Sequence, residues 1–259
     1  MPRFYMLFFA LAFGVTVNVA ANDPTQPSDT IVRLISDEWC PFTCLESSEN
    51  RGLIVDVAEA AFKEVGHEVV YEVSPWARAI REVQNGRVDA LLGADSAKRK
   101  ELFLAEDFLI VEETVFAILD DSLAVIDTPS DLLNYKIGRK DNYNYGGDPD
   151  WQSAIEKHTN ATALSGTYDE TRLIDLLTNK RIEVAIMCID IAKLYLRNHP
   201  EITNIKFIKK NLKSDLHIGF SPNPRGELLR SKFLEGYNRL KNSGQLILIY
   251  EKYGINMPS

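Results

Sequence analysis

A strand, helix, strand, helix, strand pattern written twice is the feature that most constrains this chain. The first copy reads "IVRLIS" at 31–36, a helical stretch at 53–65, "EVVYEV" at 68–73, "WARAIREVQNG" at 76–86 and "VDALLG" at 88–93. In the first helix Ala58, Ala61, Phe62 and Val65 recur at helical spacing and Gly66 stops the run; in the second Ala77, Ile80 and Val83 share a face. The second copy reads "NYKIG" at 134–138, "PDWQSAIEKH" at 149–158, "ATALSGT", "DETRLIDLLTN" and "IEVAIM". Alternating elements with links this short build parallel strands flanked by helices. The two copies even match at one joint. "QNGRVDALL" at 84–92 and "TNKRIEVAI" at 178–186 each carry Asn, one residue, Arg, a β-branched residue and an acid before an apolar run.

Two similarly built α/β lobes are therefore expected, each with a mixed, mostly parallel sheet. After the second copy the chain returns through "IKFIKK" and "DLHIGFSP" and ends in helices at 225–241 and 245–253. That order fits a second lobe (114–213) inserted into a first one (22–113 and 214–259), with crossing strands near 111–115 and 210–215. Two lobes joined by paired strands leave a cleft, and ligands of open α/β sheets bind beyond the carboxyl ends of the strands. Functional residues are to be sought in the turns after strands.

The amino terminus, "MPRFYMLFFALAFGVTVNVAAND", has Arg3, an apolar run and small residues ending in Ala20 and Ala21. This is the layout of a signal peptide of residues 1–21, the run being shorter than a spanning helix needs. A soluble protein exported to the periplasm of a Gram-negative bacterium is expected. Losing Arg3 leaves one basic residue fewer than the 29 of the whole chain, against 37 acidic ones. So acidic a protein is a poor partner for nucleic acid or anionic lipid. The four histidines are scattered without ligand spacing, so neither a metal nor another cofactor is expected. Cys40 and Cys44 in "DEWCPFTC" are separated by three residues rather than the two of redox enzymes. In an oxidising compartment they are expected to form a small structural disulfide, leaving Cys188 as a buried free thiol.

With "DEWCPF", "GLIVDVAEAAFKEVG", "PWARAIREVQNGRVDALLGADSAKR", "DLHIGFS" and "ELLRSKFLEGYNRLKNSGQLILIYEKYGI" in this order, nearly the whole chain beyond residue 21 resembles the family 3 extracellular solute-binding proteins. The resemblance implies the type II periplasmic-binding-protein fold and a soluble monomer that captures a small solute and passes it to the permease of an ABC importer. It implies that Trp39 and Trp76 sandwich the solute. It implies further that Ser96 and Arg99, in "DSAKR", grip a carboxylate, for which a guanidinium is suited through paired hydrogen bonds. Arg78 is a second candidate for that grip. In the second lobe the family's ligand loop corresponds to Asp141, Asn142 and Tyr143. The family's acid for an ammonium group falls on Cys188, with Asp190 two residues later, a departure that speaks against ordinary α-amino-acid binding.

No nucleophile with a base, no Gly-rich phosphate loop and no paired-carboxylate motif stands out, so a binder rather than an enzyme is expected. The alternatives are a dehydratase on the same scaffold, similar to cyclohexadienyl or arogenate dehydratases and using Glu38, Asp95 or Asp190 as its acid, and a sensor for a membrane partner.

Overall fold

The computed structural model describes Met1 and residues 30–45, 50–97, 99–107, 109–141, 143–166 and 169–258. The expected leader and Asn142 fall outside the described residues apart from Met1.

The first copy of the pattern forms β1 (Ile31–Ser36), α1 (Leu53–Glu64), β2 (Glu68–Val73), α2 (Trp76–Gln84) and β3 (Ala90–Asp95). A two-residue β4 (Phe103–Leu104) and the long β5 (Ile110–Leu119) follow. After a 3-10 turn at Pro129–Asn134 come β6 (Ile137–Lys140), α3 (Pro149–Glu156), β7 (Ala161–Leu164), α4 (Asp169–Thr178), β8 (Val184–Cys188) and α5 (Ile189–Asn198). The chain closes with β9 (Ile205–Phe220), α6 (Pro224–Ser243) and α7 (Gln245–Tyr253).

The strands run β2-β1-β3-β9-β5-β8-β6-β7, with β4 beside β9. Within each copy the pairs are parallel: β1 with β2 and β3, β6 with β7 and β8. Where the copies join, β9 pairs antiparallel with β3 and with β5, and β5 antiparallel with β8. Two α/β lobes thus share the long strands β5 and β9. Each has its own core. In the first, Phe62, Phe220, Phe233 and Tyr250 pack with α1, α6 and α7; in the second, Phe116, Trp151, Leu173 and Ile186 are buried on the two faces of the sheet. Among the described residues no helix is long and apolar enough to cross a membrane.

Four local expectations are corrected. The return strands "IKFIKK" and "DLHIGFSP" are one strand, β9, interrupted by a register shift where Thr114 faces Leu212 but Val115 faces Lys209. Asn211 there has φ 54°, the left-handed conformation that Asn tolerates better than most residues, and the extra residues are absorbed without ending the strand. The inward stripe of α2 is Trp76, Ala79, Ile80 and Val83, not Ala77, Ile80 and Val83, because the helix starts at Trp76 and buries that side chain's neighbours against β3. The strand foreseen at 88–93 lies at Ala90–Asp95, since Val88 and Asp89 are tied into a turn by Ser221 and Arg225. Finally, α5 was not foreseen; it begins directly at the end of β8, with no connecting turn.

Candidate functional site

The loop after β1 builds one wall of the cleft. Trp39 N–H donates to the Thr43 carbonyl (2.6 Å), and the Trp39 carbonyl accepts from Phe42 (2.9 Å) and Thr43 (3.1 Å). The Cys40–Cys44 disulfide closes the same loop, and Phe42 lies against the indole with ring centroids 4.6 Å apart. So tied, Trp39 is held with its ring buried yet bordering the cavity.

At the end of β3 the ladder slips between Leu92 and Ala94. Gly93 has φ 78°, where a side chain would be strained, and the bulge turns the next residues toward the cleft. Asp95 Oδ1 accepts from Ala97 N–H (2.7 Å) and its carbonyl from Arg99 N–H (3.0 Å). This tight turn brings Arg99 back over the cleft, its guanidinium carbon 5.8 Å from the centre of the Trp76 ring. A cation over an indole face gains electrostatic attraction, and a planar guanidinium is shaped to fork onto an anion; Arg99 also stands 3.9 Å from the Glu101 carboxylate.

The opposite wall comes from the second lobe. Lys140 ends β6, and its carbonyl accepts from the Tyr145 hydroxyl (2.6 Å). Hydrogen bonds then cross the cleft. Lys140 Nζ donates to Asp37 (3.1 Å), Trp39 Nε1 donates to Glu170 (3.4 Å), and Asn144 Nδ2 donates to Asp95. Lys140 Nζ also stands 5.2 Å from the Tyr143 ring centre, and Tyr143 meets Trp39 edge-on at 6.2 Å.

Between the walls lies a cavity of about 40 Å³ bordered by Trp39, Trp76, Asp95, Arg99, Lys140 and Tyr143, with Glu112 of β5 at its floor. Glu112 is 1% exposed. Burial, then the charge of Glu170 and that of Asp95, push its carboxyl up to about 8, against the lesser opposing effect of the Tyr143 and Thr114 hydroxyls. Burial, with Glu112 and Glu170 next, also pushes the Tyr143 hydroxyl and the Cys188 thiol up.

Of the residues expected at the site, Trp39, Trp76, Asp95, Arg99 and Tyr143 come together around this cavity. Asp141 sits at its outer rim, exposed, in a groove with Trp76 and Ser165, and pairs with Arg139 at 3.1 Å. Three others stand elsewhere. Ser96 is exposed on the outside of the Asp95–Ala97 turn, and Arg78 is exposed on α2, off the stripe that carries Trp76. Asp190 lies in the first turn of α5, 3.9 Å from Lys193, with its carboxyl raised by burial. The Cys188 position that precedes it is fully buried. Asp37, Glu112, Lys140, Asn144 and Glu170 were not foreseen. Only Glu112 left a readable trace: in "IVEETVFAIL" the buried phase is Ile110, Glu112, Thr114, Phe116 and Ile118, so an acid stands on the inward side of a strand.

Residues 31–256 match the bacterial extracellular solute-binding proteins, family 3, and the chain belongs to that family. No curated protein sequence matches it. Among solved structures it is similar to an arginine-, lysine-, histidine-binding protein from the thermophilic bacterium Geobacillus stearothermophilus, 19% identical over 88% of this chain and 96% of that one, TM-score 0.72. It is similar also to a histidine kinase sensor domain with similarity to periplasmic binding proteins, 16% identical over 88% and 98%, TM-score 0.74. A third is an ancestral amino-acid-binding protein described as a precursor of cyclohexadienyl dehydratase, 17% identical over 86% and 95%, TM-score 0.66. At these identities the likeness establishes the type II periplasmic-binding fold.

Proposed function

We propose that this solute-binding protein captures a small polar, carboxylate-bearing solute of amino-acid type by hinge closure in the periplasm, and delivers it to an ABC importer. Residues 22–113 with 214–259 and residues 114–213 would be the two closing bodies, and 1–21 the leader removed on export. The observation that carries the reading is the cavity itself, where Arg99 stacked on Trp76 faces Lys140 and Tyr143 across a cleft bridged by hydrogen bonds. A solute that touches both walls favours the closed state by its differential affinity. Amino-acid-binding structural neighbours support the same solute class.

The test is a thermal-shift screen of amino acids and organic acids, followed by small-angle scattering. A solute at a hundred times its Kd stabilises the protein by about 2.7 kcal/mol and compacts it, and is recovered unchanged. Absence of any stabilising carboxylate, or binding without compaction, would overturn the reading. An enzymatic role on the same scaffold has one observation in its favour, the buried and readily protonated Glu112 at the cavity floor. Steady product formation from prephenate or arogenate would establish it in place of capture.

A further inference from the structure

The cavity floor holds an acid that the family pattern does not call for, and the acid the pattern does call for is missing. At the expected position stands Cys188, fully buried, directly opposite Thr114 in the β5–β8 ladder. Two residues along β5 from Thr114, with its side chain on the same face, is Glu112. Its carboxyl borders the cavity and is surrounded by other groups on its remaining sides. The Thr114 hydroxyl, 3.4 Å from Oε1, comes from its own strand; Glu170 comes from α4, the Tyr143 hydroxyl from the loop after β6, Asp95 from β3 and the Cys188 thiol from β8. The cations of the cavity lie on its walls and are engaged there, Lys140 with Asp37 and Arg99 over Trp76.

We infer that the Glu112 carboxyl, backed by Glu170, is the subsite for a cationic group of the solute, and that binding there exchanges the carboxyl's proton for that group. The inference rests on the capture reading and deepens it by naming a charge that the solute must carry. Electrostatics favours it. A carboxyl buried beside a second acid is unfavourable as a bare anion, and two species relieve it: a proton, or an organic cation of the right size. The aromatic rings of Trp39 and Tyr143 bordering the same space add attraction for an ammonium or guanidinium. The exchange balances simply. The O–H bond of the Glu112 carboxyl breaks, its proton leaves to the buffer, and the solute's ammonium or guanidinium donates its hydrogen bonds to the carboxylate left behind. One positive charge replaces another, so the floor is neutralised in both states. The carboxylate of the same solute is then left for Arg99 on the facing wall.

The experiment is isothermal titration calorimetry of the whole mature protein with L-arginine, L-histidine and L-glutamine as cationic probes, and succinate and glutarate as acids without a cation. Each titration is run in phosphate and in Tris, whose different ionisation enthalpies reveal proton transfer. The expected result is release of up to one proton per bound cationic probe at pH 7. Affinity should strengthen with pH, by as much as tenfold per unit, and level off above about 8, because the proton competes for the site. In Glu112→Gln the release and the pH slope should both vanish. If that variant fails to fold, the wild-type proton count decides alone. Tight binding of a cationic probe without proton release, or binding of succinate or glutarate alone, overturns the subsite and leaves capture standing. Binding by none of the five overturns the amino-acid reading, and the subsite with it.

Discussion

The turns after β3 and after β8 start from the same sequence pattern and end in opposite arrangements. Both strands follow an Asn-x-Arg joint and an apolar run, and both end where a cleft residue is due. After β3 the glycine bulge and the Asp95 turn spend several residues outside regular structure, and Asp95 and Arg99 reach the cavity. After β8 no such residues exist. Helix α5 begins at once, Cys188 is sealed beneath it, and Asp190 is carried to the flank beside Lys193. The difference teaches that the slack in a turn, more than the residue types it contains, decides whether a polar side chain is offered to a ligand.

The sharpest way to break this comparison is Cys188→Asp, which restores the acid that the family pattern places there. With Cys188 fully buried and Glu112 and Glu170 close enough to raise its thiol, a carboxylate would be an unpaired buried charge next to other acids. We expect a loss of about 3 kcal/mol or more at pH 7 in urea unfolding. The loss should shrink toward pH 4. The new acid's folded pKa is raised above its unfolded value, so the penalty is absent below the unfolded value and grows as the pH climbs toward the folded one. Cys188→Ser, of similar size and uncharged, is the control. A loss below 1 kcal/mol for the aspartate would mean that the position opens to the cleft after all and that the two turns are equivalent.

The same contrast explains what could be read in the chain. The repeated pattern and the apolar phases carry the two-lobe α/β fold, because parallel strands with short helical links leave few other arrangements. Trp39, Trp76, Arg99 and Tyr143 were within reach because each lies in or beside a turn at a strand's carboxyl end. Ser96 was a candidate by its spacing to Arg99, and Arg78 by following Trp76 at the start of a helix. What separated them is the helical phase of α2 and the way Asp95 ties its own turn, which leaves Ser96 exposed, and neither is encoded in spacing. Lys140, Asn144 and Glu170 join the candidate site only when the second lobe is docked across the cleft, a long-range event with no local signature. Glu112 did have one, a charged residue on the inward phase of β5.

A second prediction sharpens the comparison on the β3 side. Arg99 borders the cavity over Trp76, whereas Arg78, only two residues from Trp76 in sequence, stays in solvent on α2. Removing a charge-assisted hydrogen bond to a carboxylate costs roughly 1.5–3 kcal/mol, which is about ten- to a hundredfold in affinity. Arg99→Ala should therefore weaken the best solute of the thermal screen by that factor, while Arg78→Ala leaves it within about twofold. Calorimetry on the pair reads this directly. Equal weakening in both variants would mean that α2 turns on closure and that its exposed face is part of the site.

The smallest expected effect is at Asp190, and it tests the β8 side. Its partner Lys193 is distant at 3.9 Å and both side chains are partly exposed, so the pair belongs to the weak class worth at most a few tenths of a kcal/mol. Half-burial works the other way, raising the carboxyl above its ordinary value and disfavouring its charge. With the folded pKa raised, Asp190 favours the folded state most when protonated, at pH below its unfolded value, and this contribution is lost as the pH rises through the folded one. An uncharged isostere should keep that contribution at all pH values. Asp190→Asn is thus expected to be neutral or slightly stabilising at pH 7, by no more than about 0.5 kcal/mol, with no change below pH 3. Affinity should not move, since the carboxylate stands at the flank of α5 and not at the cavity. A tenfold or greater loss of affinity in Asp190→Asn would show that the first turn of α5 unwinds toward the solute when the lobes close. The β8 turn would then deliver its acid as the β3 turn delivers its arginine.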